Sequence, residues 1–182
     1  MMKFILIVAV SILSTIASGL TLQDLTRRER VYHPGIAITV QEDFPNIPFG
    51  PTRTPRVSIR NGAHRIESLL GFTIPACRAR QKCTISFINP LAASGSRTLQ
   101  LFSCRYPSYG DTWNTKPHPG AHLGNILVPP IVTGPATVGG EVGLTFPCPM
   151  TTTEFGFCLA PVGSDDLVIW DIITGGLIIT CG

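Results

Sequence analysis

Cys83-Thr84-Ile85-Ser86-Phe87-Ile88-Asn89, Ala92-Ala93-Ser94-Gly95-Ser96 and Thr98-Leu99-Gln100-Leu101-Phe102-Ser103-Cys104 together decide the fold class. In the outer two stretches apolar and polar side chains alternate, the period at which a strand turns one face to a core and the other to water. The small residues between them form a flexible loop able to reverse the chain. The same texture extends in both directions. Eighteen glycines and sixteen prolines recur every few positions, and a proline inside a helix costs about 3 kcal/mol, so long helices are excluded. Between these breakers lie short β-branched or alternating segments at 36–40, 56–60, 66–74, 83–89, 98–104, 125–128, 138–146, 154–162, 167–170 and 177–181. Such a series predicts an all-β fold, an antiparallel β-sandwich of roughly 8–10 short strands. Two hairpins are expected, 83–89 with 98–104 and 154–162 with 177–181. No internal repeat is present.

The N-terminal segment predicts the compartment. Lys3 precedes an apolar run, Phe4 to Val10 with Ile12 and Leu13, and the small residues Ala17, Ser18 and Gly19 follow. This is the pattern of a cleaved secretory signal peptide over residues 1–19. The run is too short for a bilayer, which takes roughly 20 apolar residues. Residues 20–30 are polar and carry Arg27-Arg28, so they read as a solvated arm or a removable pro-segment. Residues 31–182 are then one domain. The apolar stretch 167–180 is interrupted by Asp171 and Gly175-Gly176 and is expected to form two buried strands rather than a membrane tail.

Six cysteines, Cys77, Cys83, Cys104, Cys148, Cys158 and Cys181, all follow the signal segment. An even count in an oxidising compartment predicts three disulfides, each stabilising the fold by about 2–4 kcal/mol. No Cys-x-x-Cys pair occurs, so neither a zinc site nor any other metal site or cofactor is expected. Spacing alone leaves the connectivity open. In a symmetric register Cys83 would approach Cys104, and Cys158 would approach Cys181.

Charge is uneven along the chain. From Asp24 to Arg105 twelve basic residues face five acidic ones, whereas from Tyr106 onward Lys116 stands against six acidic residues. In an interleaved β-domain the halves compensate each other; a two-sided surface for a charged partner is the alternative. Without a strongly basic balance or basic-aromatic interleaving, nucleic acid is not expected as a partner.

Candidate chemistry is sparse. No Gly-x-Ser-x-Gly elbow, His-Glu-x-x-His or phosphate-cradling loop is present, so no catalytic residues are assigned and the chain is read as non-enzymatic. His118 and His122 have a spacing of four, but the intervening prolines and glycine rule out a regular helix, so they are expected as exposed loop residues. Asp165 and Asp166 follow Gly163-Ser164, ordinary turn chemistry. Arg78, Arg80 and Lys82 would share one face of a strand entrance. Tyr106, Tyr109 and Trp113 cluster in the long irregular segment 105–130, long enough to be a functional or mobile loop. They are either a ligand surface, stacking on apolar sugar faces, or a cap on the sandwich. There is no Asn-x-Ser/Thr acceptor.

Taken in order, Tyr32-His33-Pro34-Gly35-Ile36-Ala37-Ile38-Thr39-Val40, Pro48-Phe49-Gly50-Pro51-Thr52, Leu70-Gly71-Phe72-Thr73-Ile74-Pro75, Phe146-Pro147-Cys148-Pro149, Pro161-Val162-Gly163-Ser164-Asp165 and Gly176-Leu177-Ile178-Ile179-Thr180-Cys181 resemble the fungal But-two (ubiquitin 3 binding protein) C-terminal domain family. The resemblance covers residues 31–182 and is loose over 105–130. It implies a β-sandwich, a fungal origin and no catalytic residues. It also implies a Cys83–Cys148 bridge, with Cys77–Cys104 and Cys158–Cys181 beside it.

The resulting expectation is a secreted fungal interaction protein, meeting a protein or polysaccharide at its own cell wall or at a host or competitor surface. It is not expected to engage a membrane after signal cleavage. Two other classes stay open. One is an adaptor for the activating enzyme of a ubiquitin-like modifier, as the family name implies. The other is a hydrolase built on carboxylates such as Glu141, Glu154 and Asp165.

Overall fold

The computed structural model describes residues 29–129, 135–139 and 144–182; the signal segment and Glu141 lie outside them. Thirteen strands form the described chain: β1 (Arg30–Tyr32), β2 (Ile36–Gln41), β3 (Arg56–Arg60), β4 (Ala63–Ile74), β5 (Lys82–Ile88), β6 (Pro90–Gly95), β7 (Thr98–Cys104), β8 (His122–Leu127), β9 (Thr137–Gly139), β10 (Thr145–Pro147), β11 (Thr153–Pro161), β12 (Asp166–Trp170) and β13 (Gly176–Cys181). The all-β expectation holds, with more strands than the 8–10 foreseen. β1 and β6 are additional. The segment expected as one strand over 138–146 supplies β9 to one sheet and β10 to the other.

The sheets are antiparallel throughout. The small one runs β1-β13-β5-β10. The large one runs β6-β12-β3-β4-β11-β7-β8-β9, with β2 on β4. The long β4 carries β2 along one edge, at Ile66–Gly71, and along the other β3 at Ala63–Ile66 followed by β11 at Ser68–Ile74. Between the sheets lies the main core. Ile85, Phe87, Leu177 and Ile179 come from the small sheet, and Leu70, Phe72, Leu101, Phe157 and Trp170 from the large one. Trp170 meets Phe87 edge to face at 5.4 Å, and Phe72 meets Phe157 likewise at 5.6 Å. Gly176, at φ +77°, lies flat against the Trp170 indole, where any Cβ would clash.

Neither expected hairpin forms. β5 and β7 belong to different sheets, as do β11 and β13. The residues read as the flexible first loop are strand β6, which pairs with β12 from Pro90 to Gly95. Pro90 is tolerated because β6 lies at the sheet edge. The stretch 167–180 forms two buried strands as expected, β12 and β13, joined by a turn built on Asp171. Asp171 Oδ1 accepts the Ile173 and Thr174 amides at 2.8 and 3.3 Å, and Oδ2 accepts Arg53 Nε at 2.8 Å.

The cysteines separate into two groups, and this corrects the connectivity implied by the resemblance. Cys104 and Cys158 are at bonding distance across β7 and β11, with Cα atoms 6.0 Å apart. Pairing Cys77 with Cys104, or Cys158 with Cys181, is therefore excluded. Cys158 points to the outer side of the large sheet, whereas Cys77, Cys83, Cys148 and Cys181 gather at one end of the main core. The Cys83–Cys148 proximity is present, at a Cα separation of 5.1 Å.

Phe87→Ala is expected to lower stability by about 3–5 kcal/mol, measured as a reduced urea midpoint at unchanged slope. A second expectation concerns Asp171, whose pKa lies below its ordinary value of 3.8. The Ile173 amide lowers it most; partial burial opposes this, and Arg53 and Thr174 add to the lowering. A depressed folded pKa contributes stability above the unfolded value, lost as pH falls through the folded one. The gap in urea midpoint between wild type and Asp171→Asn should be full at neutral pH and close progressively below about pH 4.

Candidate functional site

β2, β4 and β11 are apolar on both faces, so the large sheet needs a cover on its outer side. Ile36, Ile38, Val40, Leu69 and Cys158 form this second core. The segment 105–121 covers it, with Phe102, Cys104, Tyr106 and Trp113 packed against these residues. Tyr106 lies over Gly71, where a Cβ would stand 2.7 Å from the phenol ring and 2.6 Å from Ile36; only glycine allows so close an approach. The segment is thus a packed layer rather than a mobile loop. Its far end is stapled to β7, Ser103 donating to Ala121 at 2.9 Å and Gly120 to Ser103 at 2.7 Å.

Polar groups inside this layer are paired. Asp111 is buried; its carboxylate accepts Arg105 Nη2 and the Ser108 amide, both at 2.7 Å. Lys116 Nζ binds the Glu67 carboxylate and stands 3.4 Å from the centroid of the Trp113 ring. Buried or half-buried, this ion pair and cation–π contact fasten the layer onto β4. Arg105–Asp111 and Arg53–Asp171 each pair a base of the basic half with an acid of the acidic half, whereas Lys116–Glu67 runs the other way. The charge asymmetry is to that extent internal compensation.

Next to this layer the β2–β3 loop bears an exposed apolar ridge. Phe44, Ile47 and Phe49 are 48, 49 and 43% exposed, and the two rings meet edge to face at 6.0 Å. The ridge is held in place by the covering segment. Asn114 donates its amide to Pro45 O at 3.0 Å and its side-chain Nδ2 to Asn46 Oδ1 at 2.8 Å. Ordered apolar surface of this kind marks a contact site more often than isolated exposed residues do. Asp43, the residue before Phe44, lines a groove of about 550 Å³ together with Arg56, Arg60 and His64 among others. His64, at φ +56°, binds both oxygens of Asp43 through Nδ1 at 2.9 Å.

The aromatic trio divides. Tyr106 and Trp113 belong to the covering layer, and Tyr109 is 69% exposed. Arg78 and Arg80 are not on a strand face. They precede Lys82 in a turn closed by the Gln81 amide to Arg78 O at 3.3 Å, with Arg80 at φ +71°. Asp165 accepts the Asn61 amide at 2.9 Å, and the buried Asp166 accepts Ser96 Oγ and the Arg97 amide at 2.8 and 3.0 Å, so both fasten turns. Glu154 opens β11 and Asp165 follows its far end, roughly 20 Å away at ~3.3 Å per residue. They do not pair across a cleft as glycoside hydrolysis requires. His118 and His122 are exposed, and they join no third ligand among the described residues.

The apolar ridge was not singled out from the sequence. Its signal is Phe44-Pro45-Asn46-Ile47-Pro48-Phe49: three large apolar residues between prolines, with no strand to bury them.

Lys116→Met keeps the aliphatic stem but leaves the buried Glu67 carboxylate unpaired. It should cost about 3 kcal/mol, and Glu67→Gln added to it should restore part of that loss. Urea titration followed by tryptophan emission checks both.

No protein-family model matches the chain, and no curated protein is similar to it.

Proposed function

We propose that this is a secreted, non-enzymatic interaction module that binds at a cell surface, either the wall of the fungus that makes it or a host or competitor surface. The observation that carries this reading is the Phe44–Ile47–Phe49 ridge, left exposed yet held by the Asn46–Asn114 pair. A protein with no partner would gain by replacing those side chains with polar ones; an ordered apolar ridge beside polar groups suits a surface that presents both apolar and hydroxylated faces. Cysteines at bonding distance in both cores are consistent with an oxidising compartment. The resemblance to the But-two family supplies the fungal context, and the pattern at residues 1–19 supplies the route out of the cell.

Two measurements test this. The mature N-terminus of protein recovered from culture medium should fall just after residues 17–19. Retention of the protein inside the cell with its first residues intact would favour the adaptor for a ubiquitin-like modifier's activating enzyme. Incubated with insoluble chitin, glucan and mannan, the wild type should be retained on at least one, and Phe44→Ala with Phe49→Ala should weaken retention about tenfold or more. No retention of the wild type on any of them contradicts the wall version.

A further inference from the structure

The four cysteines at the end of the main core are closer than one disulfide requires. The sulfur atoms of Cys77, Cys83, Cys148 and Cys181 all lie within 4.8 Å of one another. Cys83, on β5, is at bonding distance from two of them at once: Cys181, directly opposite on β13, and Cys148, just beyond β10 on the other side. A sulfur makes one disulfide, so Cys83 must take one partner and leave the other for Cys77.

We infer that the cluster closes as Cys83–Cys181 and Cys77–Cys148, and that Cys83 is the point at which the pairing exchanges when Cys77–Cys148 is opened. The backbone favours these partners. Cys83 and Cys181 face each other in the ladder, and because Lys82 and Gly182 beside them exchange both backbone bonds, they are a non-hydrogen-bonded pair, whose side chains lie closest. Cys77 instead joins the Cys148 segment, its amide donating to Pro149 O at 2.8 Å while the Cys148 amide donates to Gln81 O at 3.0 Å. Each bond forms as two thiols release two protons and pass two electrons to an oxidising protein disulfide of the secretory pathway, which leaves as a dithiol. Cys77 is the accessible member, half-buried where Cys83, Cys148 and Cys181 are buried. An external dithiol would therefore open Cys77–Cys148 first, leaving thiols on Cys77 and Cys148 and becoming a disulfide itself. The Cys148 thiolate can then attack Cys83 Sγ, forming Cys83–Cys148 and releasing Cys181 as a thiolate, with no net oxidation.

The test is a non-reducing peptide map of the full secreted chain. No Lys or Arg follows Lys116, so trypsin alone leaves Cys148, Cys158 and Cys181 on one peptide. A second protease cutting after acidic residues separates them at Glu154 and at Asp165 to Asp171. The wild type should give Cys77–Cys148, Cys83–Cys181 and Cys104–Cys158. Cys77→Ser should give a mixture of Cys83–Cys148 and Cys83–Cys181, with one alkylatable thiol shared between Cys181 and Cys148. Cys77→Ser with Cys148→Ser, which removes one whole bridge, should retain Cys83–Cys181 beside Cys104–Cys158 and keep the readout if the single variant fails to fold; free thiols at Cys83 and Cys181 in it overturn the pairing. A Cys77–Cys181 or Cys77–Cys83 peptide in the wild type overturns the pairing. Four free thiols with one bound zinc in the native mass overturn it as well, in favour of a tetrathiolate site. A single linkage in Cys77→Ser overturns the exchange.

Discussion

At the centre of the large sheet Leu69 and Cys158 turn to one face, while Leu70, Phe72, Phe157 and Leu159 turn to the other. Antiparallel sheets commonly leave one face to water; β4 and β11 do not. The small sheet covers the first face, and the second requires the irregular segment 105–121. The second layer then dictates much else. Gly71 is needed because Tyr106 presses on the sheet. Cys104 and Cys158 tie the layer's origin to the strand beneath it. Glu67 sits on a buried face of β4 only because Lys116 arrives over Trp113 to meet it.

This arrangement links stability to function at one place. Asn114, in the covering layer, holds the β2–β3 loop through Pro45 and Asn46. The Phe44–Ile47–Phe49 ridge is therefore presented by the protein's second core, and a partner would meet a surface that needs little ordering on binding. The bridge Cys104–Cys158 lies in that core, whereas the four-cysteine cluster lies at the end of the other one. Changes at the cluster and changes at the ridge are physically separable.

Segments with an unbroken period of two were legible from the residues alone. β3 and β7 fall where alternation places them, at Arg56–Arg60 and Thr98–Cys104. What was not legible is whatever depends on which strands become neighbours. Cys83–Asn89 and Thr98–Cys104 are close in sequence yet join opposite sheets, because the intervening Pro90–Gly95 crosses to the edge of the large sheet instead of turning back. The cysteine pairs depend on the same choice, and Cys104 could be matched to Cys158 only once β7 lay beside β11. The aromatic segment was open to two readings because Tyr106 and Trp113 are apolar enough to stack on a ligand or on a sheet. The buried outer face of β4 decided for the sheet. The ridge escaped notice because it has no period and no strand.

The outer face of the large sheet depends on residues 105–121 forming a packed second layer. Hydrogen exchange of the intact protein measures it directly. Amides of Ser103, Asp111, Asn114 and Gly120, each hydrogen-bonded in the structure, should exchange far more slowly than an unstructured chain, with β4 and β11 the slowest of all. Exchange of 105–121 at the rate of a free peptide, with β4 and β11 still protected, would contradict a packed second layer on the outer face of the sheet.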